Sequence, residues 1–252
     1  MQDIVNVVFW VSCTFVLAGW VKGVVGMGLP TVAMGALGLL MPPVQAAALL
    51  VVPSLVTNLW QLFAGPAFAP LLRRLGSMMV MVFVGTALGI GFMTSNASQW
   101  PSVALGSILA IYALTGLFMP RLSVPARLQP VLSPIIGLLT GVLTGATGVF
   151  AVPAVPYLSA LGLTRDELIQ ALGLSFTVST IALAVCLAGA ASYSGGMIVS
   201  SVAAVVPALV GMFIGQRVRD RLDPQVFRTW FFIALLLVGV IMAVRAVIEM
   251  RA

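Results

Sequence analysis

Apart from Lys22 and Arg245, the charges of this chain are confined to short joints and termini, and the runs between them are long and apolar. Of 252 residues, 61% are hydrophobic and 7% charged, where a soluble domain carries about a quarter charged residues. So little charge cannot clothe a water-facing surface, and the solvent of the outer face is lipid. One helical crossing takes about 20 apolar residues. The apolar runs cover residues 4–22, 23–41, 44–64, 77–95, 101–119, 131–147, 149–162, 168–190, 198–216 and 229–248. They predict an all-α polytopic membrane protein with one integral membrane domain embedded in the lipid bilayer. The start, Met1-Gln2-Asp3-Ile4, has no basic region of the kind that opens a cleaved signal peptide, so the first run is expected to persist as a span.

The runs also read as one unit written twice. Gly19-Trp20-Val21-Lys22-Gly23-Val24-Val25-Gly26-Met27-Gly28-Leu29-Pro30 returns in looser form as Gly137-Leu138-Leu139-Thr140-Gly141-Val142-Leu143-Thr144-Gly145-Ala146-Thr147-Gly148. Gln45-Ala46 with Ser54 nine residues on is matched by Gln170-Ala171 with Ser179 nine residues on. The proline-rich joint Pro120 to Pro130 divides a first transmembrane repeat, 1–130, from a second, 131–252. Each half holds an odd number of segments, about five. The expectation is therefore two inverted repeats, with a Gly-broken or re-entrant helix in each half.

Basic residues mark cytoplasmic joints. Arg73 and Arg74, Arg121 and Arg127, Arg165, and the group Arg217, Arg219, Arg221 and Arg228 fall in alternate joints, and the intervening joints are uncharged. The net charge of +6 thus reports orientation and not a nucleic-acid partner. Both termini are expected on the periplasmic side, although Arg245 and Arg251, partly offset by Glu249, run against that placement of the tail.

Glycine and proline at this density break helices and free backbone groups that lipid cannot satisfy, so the broken segments should face protein or a cavity. Half-helix N-termini near mid-membrane favour anions. Gly26, Gly28, Gly145, Thr147 and Gly148 are candidate substrate-binding residues on that ground; the alternative for each glycine is close helix approach. Ser54 and Asn58, with Gln61, lie at i, i+4 and i+7 on one helical face. Ser175 and Ser179 lie at i and i+4, with Thr177 and Thr180 nearby. Their hydroxyls and amides can donate to an oxyanion, or instead bond neighbouring helices. Gln45 and Gln170, at matching places, are gate candidates. Lys22, the lone lysine, either snorkels to the interface or enters the translocation cavity as an anion attractant able to couple to protons.

All six acids, Asp3, Asp166, Glu167, Asp220, Asp223 and Glu249, lie in joints or near the termini, which disfavours a cation carrier. With no His and only Cys13 and Cys186, both in apolar runs, neither a metal site nor a cofactor is expected. No side-chain set suited to acid–base or nucleophilic chemistry is present, so the chain is not read as an enzyme.

Gly19 to Pro30, then Gln45-Ala46 and the Pro53-Ser54 step, then Gly137 to Pro153 resemble the TauE/SafE family of sulfite exporters, also called the toluenesulfonate uptake permease group. The glycine clusters depart from the Gly-Gly-Gly before Val-Pro seen in such families, with Val152-Pro153 retained only in the second copy. The resemblance implies a multi-pass protein of the bacterial inner membrane that exports sulfite or small organosulfonate anions without a cofactor. The residues alone fit a secondary transporter working by alternating access, or an anion channel using the same half-helix N-termini as a selectivity site. They leave homodimer formation open.

Overall fold

The computed structural model describes residues 2–95, 100–118, 123–189, 195–221 and 223–251. Arg121 and the uncharged joints at 96–99 and 190–194 lie outside these residues, as do both chain ends. The helices are α1 (Gln2–Val25), α2 (Leu29–Leu37), α3 (Pro43–Phe63), α4 (Phe68–Met93), α5 (Trp100–Phe118), α6 (Gln129–Thr147), α7 (Ala154–Ser159), α8 (Arg165–Gly189), α9 (Gly195–Ala203), α10 (Val205–Val218) and α11 (Pro224–Arg251). No strand occurs among the described residues.

Local chemistry sets the helix ends. Thr164 and Glu167 form a reciprocal box at the start of α8: the Glu167 carboxylate accepts from the Thr164 backbone N–H at 2.9 Å, and the Thr164 hydroxyl accepts from the Glu167 N–H at 3.3 Å. Asp223 accepts from the Gln225 N–H at 2.8 Å and so caps α11. At their other ends α1 and α6 stop in the same way. Gly26 (φ 82°) and Gly148 (φ 72°) take the left-handed conformation that favours glycine and return their N–H groups to Lys22 and Thr144.

Among the described residues eight helices are long and apolar enough to cross a membrane, and the chain is a multi-pass membrane protein. Ten apolar runs were expected. The runs 23–41 and 149–162 yield only the nine-residue α2 and the six-residue α7, each too short to cross. Gly26, Gly28, Gly148 and the Val152-Pro153 and Val155-Pro156 steps interrupt them. The run 198–216 is divided at Ala204 into α9 and α10, just before Pro207. α4 begins nine residues earlier than its apolar run, so Arg73 and Arg74 sit in its first turns and not in a loop; a helix continues past the acyl region as long as its outer turns are solvated.

The basic joints gather at one end. Arg74 donates to the Gln129 side chain and to the Leu161 carbonyl, each at 3.0 Å, and the Val124 N–H donates to the Ala160 carbonyl at 2.9 Å. The starts of α4 and α6 and the end of α7 therefore meet there. Arg228 at the start of α11 donates to the Gly116 carbonyl near the end of α5 at 3.0 Å.

Four helix pairs make the body: α1 packs along α10, α4 along α6, α5 along α11, and α3 along α8. Lipid tails are as apolar as leucine, so these pairs gain little from the hydrophobic effect and rely on close packing. Glycines supply it. Gly19 and Gly23 on α1 lie against the carbonyls of Ala208 and Met212, while Gly211 and Gly215 on α10 lie against those of Val16 and Trp20. Gly137, Gly141 and Gly145 on α6 meet the Met78, Val82 and Thr86 carbonyls of α4. A side chain at any of these positions would strike backbone.

Gly141→Val should force α4 and α6 apart and cost about 2 kcal/mol or more, read as a lowered melting temperature of the detergent-solubilised protein. Gly91→Val, where nothing lies within 4 Å of the new carbon, should melt close to the wild type. Equal melting of the two variants would refute backbone contact as the source of cohesion.

Candidate functional site

The site begins with a defect in α3. Pro53 has no N–H to give to the Leu49 carbonyl four residues earlier. Ser201 on α9 replaces it: its hydroxyl donates to the Leu49 carbonyl at 2.8 Å and accepts from the Val52 N–H at 3.2 Å. One turn further on, the Thr57 hydroxyl donates to the Pro53 carbonyl at 2.8 Å. The same oxygen accepts from Lys22 Nζ at 3.1 Å, and Nζ also donates to the Asn58 side-chain oxygen.

Lys22 is thus inside the protein, 4% exposed, and not at the interface. Snorkelling is excluded by its partners, which lie on the buried face of α3. Among the described residues no carboxylate bonds it; both of its acceptors are neutral. An ammonium has three donors, and two are taken. Asn58 continues the network across to the second half, donating from its amide nitrogen to the Thr180 hydroxyl of α8 at 3.3 Å.

α3 and α8, which the Asn58–Thr180 bond joins, also carry polar atoms that the protein leaves unanswered. The hydroxyls of Ser54, Ser175 and Ser179, that of Thr140 on α6, and Oε1 of Gln61 are buried and find no hydrogen-bond partner among the described residues. An unsatisfied buried group costs about 1–3 kcal/mol. Four hydroxyls and one desolvated cation suit a polar, negatively charged solute. The Gln61 amide is oriented by two acceptors, the carbonyls of Gly26 at 2.9 Å and Ile169 at 2.8 Å, so it ties the first helix break to the start of α8.

Other expected residues are placed differently. Gly26 and Gly28 form the turn between α1 and α2, with Gly28 (φ 103°) capping α2. Gly148 ends α6 over the Met34 side chain. Gly145 presents its open face to α4. Thr147 donates to the Leu143 carbonyl at 2.7 Å and accepts from the Val149 N–H at 3.3 Å, which satisfies the break locally. The two glutamines are not equivalent. Gln170 is buried and committed to backbone: its nitrogen donates to the Leu62 and Gly65 carbonyls, each at 2.7 Å, and its oxygen accepts from the Ala67 N–H at 2.8 Å. Gln45 is exposed and lines a cavity at the end of the molecule opposite the basic joints.

The model of the family described as Sulfite exporter TauE/SafE matches residues 11–242. This chain belongs to the TauE/SafE family. Membership implies an anion export transporter of the membrane, and the match spans the broken segments of both halves as well as Lys22, Asn58 and Ser179. No curated protein and no solved structure matches the chain.

Sequence reasoning missed Thr57, Thr140 and Ser201. Thr57 was signalled by its place four residues after Pro53. Thr140 stands where Lys22 stands in the first glycine copy. Ser201 had no such mark, because its role arises from α9 lying across α3. Ser201→Ala should cost about 1–3 kcal/mol in the wild type by stranding the Leu49 carbonyl, and clearly less in a Pro53→Ala background, whose restored N–H can serve that oxygen. A double-mutant cycle of melting free energies measures the coupling; strict additivity would rule out the repair.

Proposed function

We propose that this TauE/SafE member is a secondary transporter that exports sulfite or small organosulfonate anions across the bacterial inner membrane by alternating access. The observation that carries the reading is Lys22, buried at the α1–α3 contact with only neutral partners, in a protein that also buries unanswered hydroxyls on α3, α6 and α8. A cation so placed is costly in a membrane protein, and a bound anion offsets that cost. Lys22 supplies the charge, and Asn58 and Thr57 hold its head group. Ser54, Ser175 and Ser179 are the donors nearest in kind to the needs of sulfonate oxygens.

Residues 1–130 and 131–252 act as inverted repeats that rock against each other. Reciprocal packing supports this: the first helix of each half lies along the descending helix of the other, α1 on α10 and α6 on α4, while α3 pairs with α8 and α5 with α11. The left-handed glycines Gly26 and Gly148 end the first helix of each half, and α2 and α7 are the short returning arms. In this arrangement the basic end is cytoplasmic and both termini are periplasmic. Gln45, alone of the two expected gates, keeps a free side chain for such a role.

The test is flux in proteoliposomes loaded with labelled sulfite, methanesulfonate or toluenesulfonate, with and without a pH gradient. Wild-type protein should move at least one of these, and Lys22→Ala should reduce that flux at least tenfold, about 1.4 kcal/mol of lost interaction, while melting like the wild type. Undiminished flux in Lys22→Ala would remove the anion from this site. Single-channel currents would replace the carrier with a channel.

A further inference from the structure

Lys22 is the only Lys, Arg, Asp or Glu in the buried interior of the described residues; the others are exposed or half-buried. The interior thus offers one positive charge and no second. A solute with two negative charges would enter with one of them unmatched, and an unmatched charge away from water is costly. Hydroxyls add donors but no charge. Thr57, Thr177 and Thr180 return theirs to the carbonyl four residues earlier, whereas those of Ser54, Ser175 and Ser179 stay unpartnered. Ser54 lies one turn before Asn58 on α3, and Ser179 directly precedes Thr180 on α8, so both adjoin the residues whose bond carries the Lys22 network across.

Gln61 brings the opposite need. Its amide nitrogen has two N–H groups, and both are taken, by the Gly26 and Ile169 carbonyls. Turning the amide over would set its oxygen against those same carbonyls, so its orientation is fixed. Oε1 is left buried and unpartnered, able only to accept. Gln61 stands three residues beyond Asn58 on α3, and Gly26 stands one turn beyond Lys22 on α1, its N–H bonded to the Lys22 carbonyl. The amide is therefore the next rung after Lys22 in one α1–α3 contact. A bare anion gives such an oxygen nothing, whereas a solute bearing an N–H or O–H group satisfies it.

We propose that the central site takes a singly charged oxyanion that carries its own hydrogen-bond donor: for sulfite the hydrogen sulfite ion, and for sulfonates a monosulfonate bearing an uncharged O–H or N–H group. Lys22 and the free serines meet the charged oxygens, Gln61 Oε1 accepts from the donor, and dianions are refused. This substrate class rests on the anion binding at Lys22 proposed above and narrows it by charge and by donor.

The experiment is competition of sulfamate, methanesulfonate and sulfate against labelled sulfite, on the full-length protein in detergent at neutral pH, for wild type, Gln61→Met and Lys22→Ala. The competitors have nearly one shape: sulfamate is a monoanion with N–H donors, methanesulfonate a monoanion without them, and sulfate a dianion. In the wild type sulfamate should compete about fivefold better than methanesulfonate, the scale of one net hydrogen bond. Sulfate should compete at least about a hundredfold worse, the scale of a buried charge left without a partner. Gln61→Met should bring the sulfamate-to-methanesulfonate ratio to about one and leave sulfate refused; a ratio does not depend on the fraction of protein folded, and the wild-type order alone already tests the proposal. Sulfate competing as well as methanesulfonate would overturn the limit on charge and leave an anion transporter standing. Equal competition by sulfamate and methanesulfonate in the wild type, or an unchanged ratio in Gln61→Met, would overturn the part given to Gln61. If Lys22→Ala binds labelled sulfite as the wild type does, the central site itself fails.

Discussion

Backbone groups freed by a broken helix find no partner in acyl chains, and that constraint organises the whole molecule. Among the described residues the interruptions include left-handed glycines at the ends of α1 and α6, a proline within α3, and a step between α9 and α10. The first two are met by protein. Gly26 and Gly148 close their own turns, and the free carbonyl of Gly26 receives Gln61. The carbonyl stranded by Pro53 receives Ser201. α4, α5 and α11 are long, uninterrupted and less than half buried, and they take up much of the contact with lipid.

Close approach is what lets so many irregular segments fit inside eight crossings. The glycines of α1, α4, α6 and α10 bring carbonyls of neighbouring helices to within the reach of a single missing methyl group. Dispersion over these contacts supplies cohesion that apolar burial cannot supply in lipid. The same packing buries Lys22 and the polar side chains of α3 and α8, and electrostatic interactions are stronger in such an interior.

Much of this was legible in the residues. Hydropathy gave the class, the recurring glycines located both breaks, and the i, i+4, i+7 spacing of Ser54, Asn58 and Gln61 put them on one face of α3. The glycine stretches carried two signals at once: Gly26 and Gly148 mark breaks, whereas Gly19, Gly23, Gly137 and Gly141 mark helix contacts, and composition does not separate these roles. Hydropathy also overcounted the crossings, since α2 and α7 are as apolar as a span but much shorter. Whether Lys22 lay at the interface or inside depended on which helix would receive its head group, and Asn58 is 36 positions away. The matched glutamines misled for a related reason. Gln170 meets the end of α3 and is used up there, while Gln45 meets open space.

The unequal treatment of α3 and α8 has a mechanical meaning. At its basic end α3 and the turn after it are held by Gln170, which donates to the Leu62 and Gly65 carbonyls and accepts from the Ala67 N–H, whereas in its middle Pro53 and the borrowed hydroxyl of Ser201 replace a local helix bond with one made to another helix. α8, which carries valine where its partner has proline, has no such joint. α3 is thus the one of the pair whose continuity depends on another helix, through the two bonds that Ser201 of α9 makes to Leu49 and Val52.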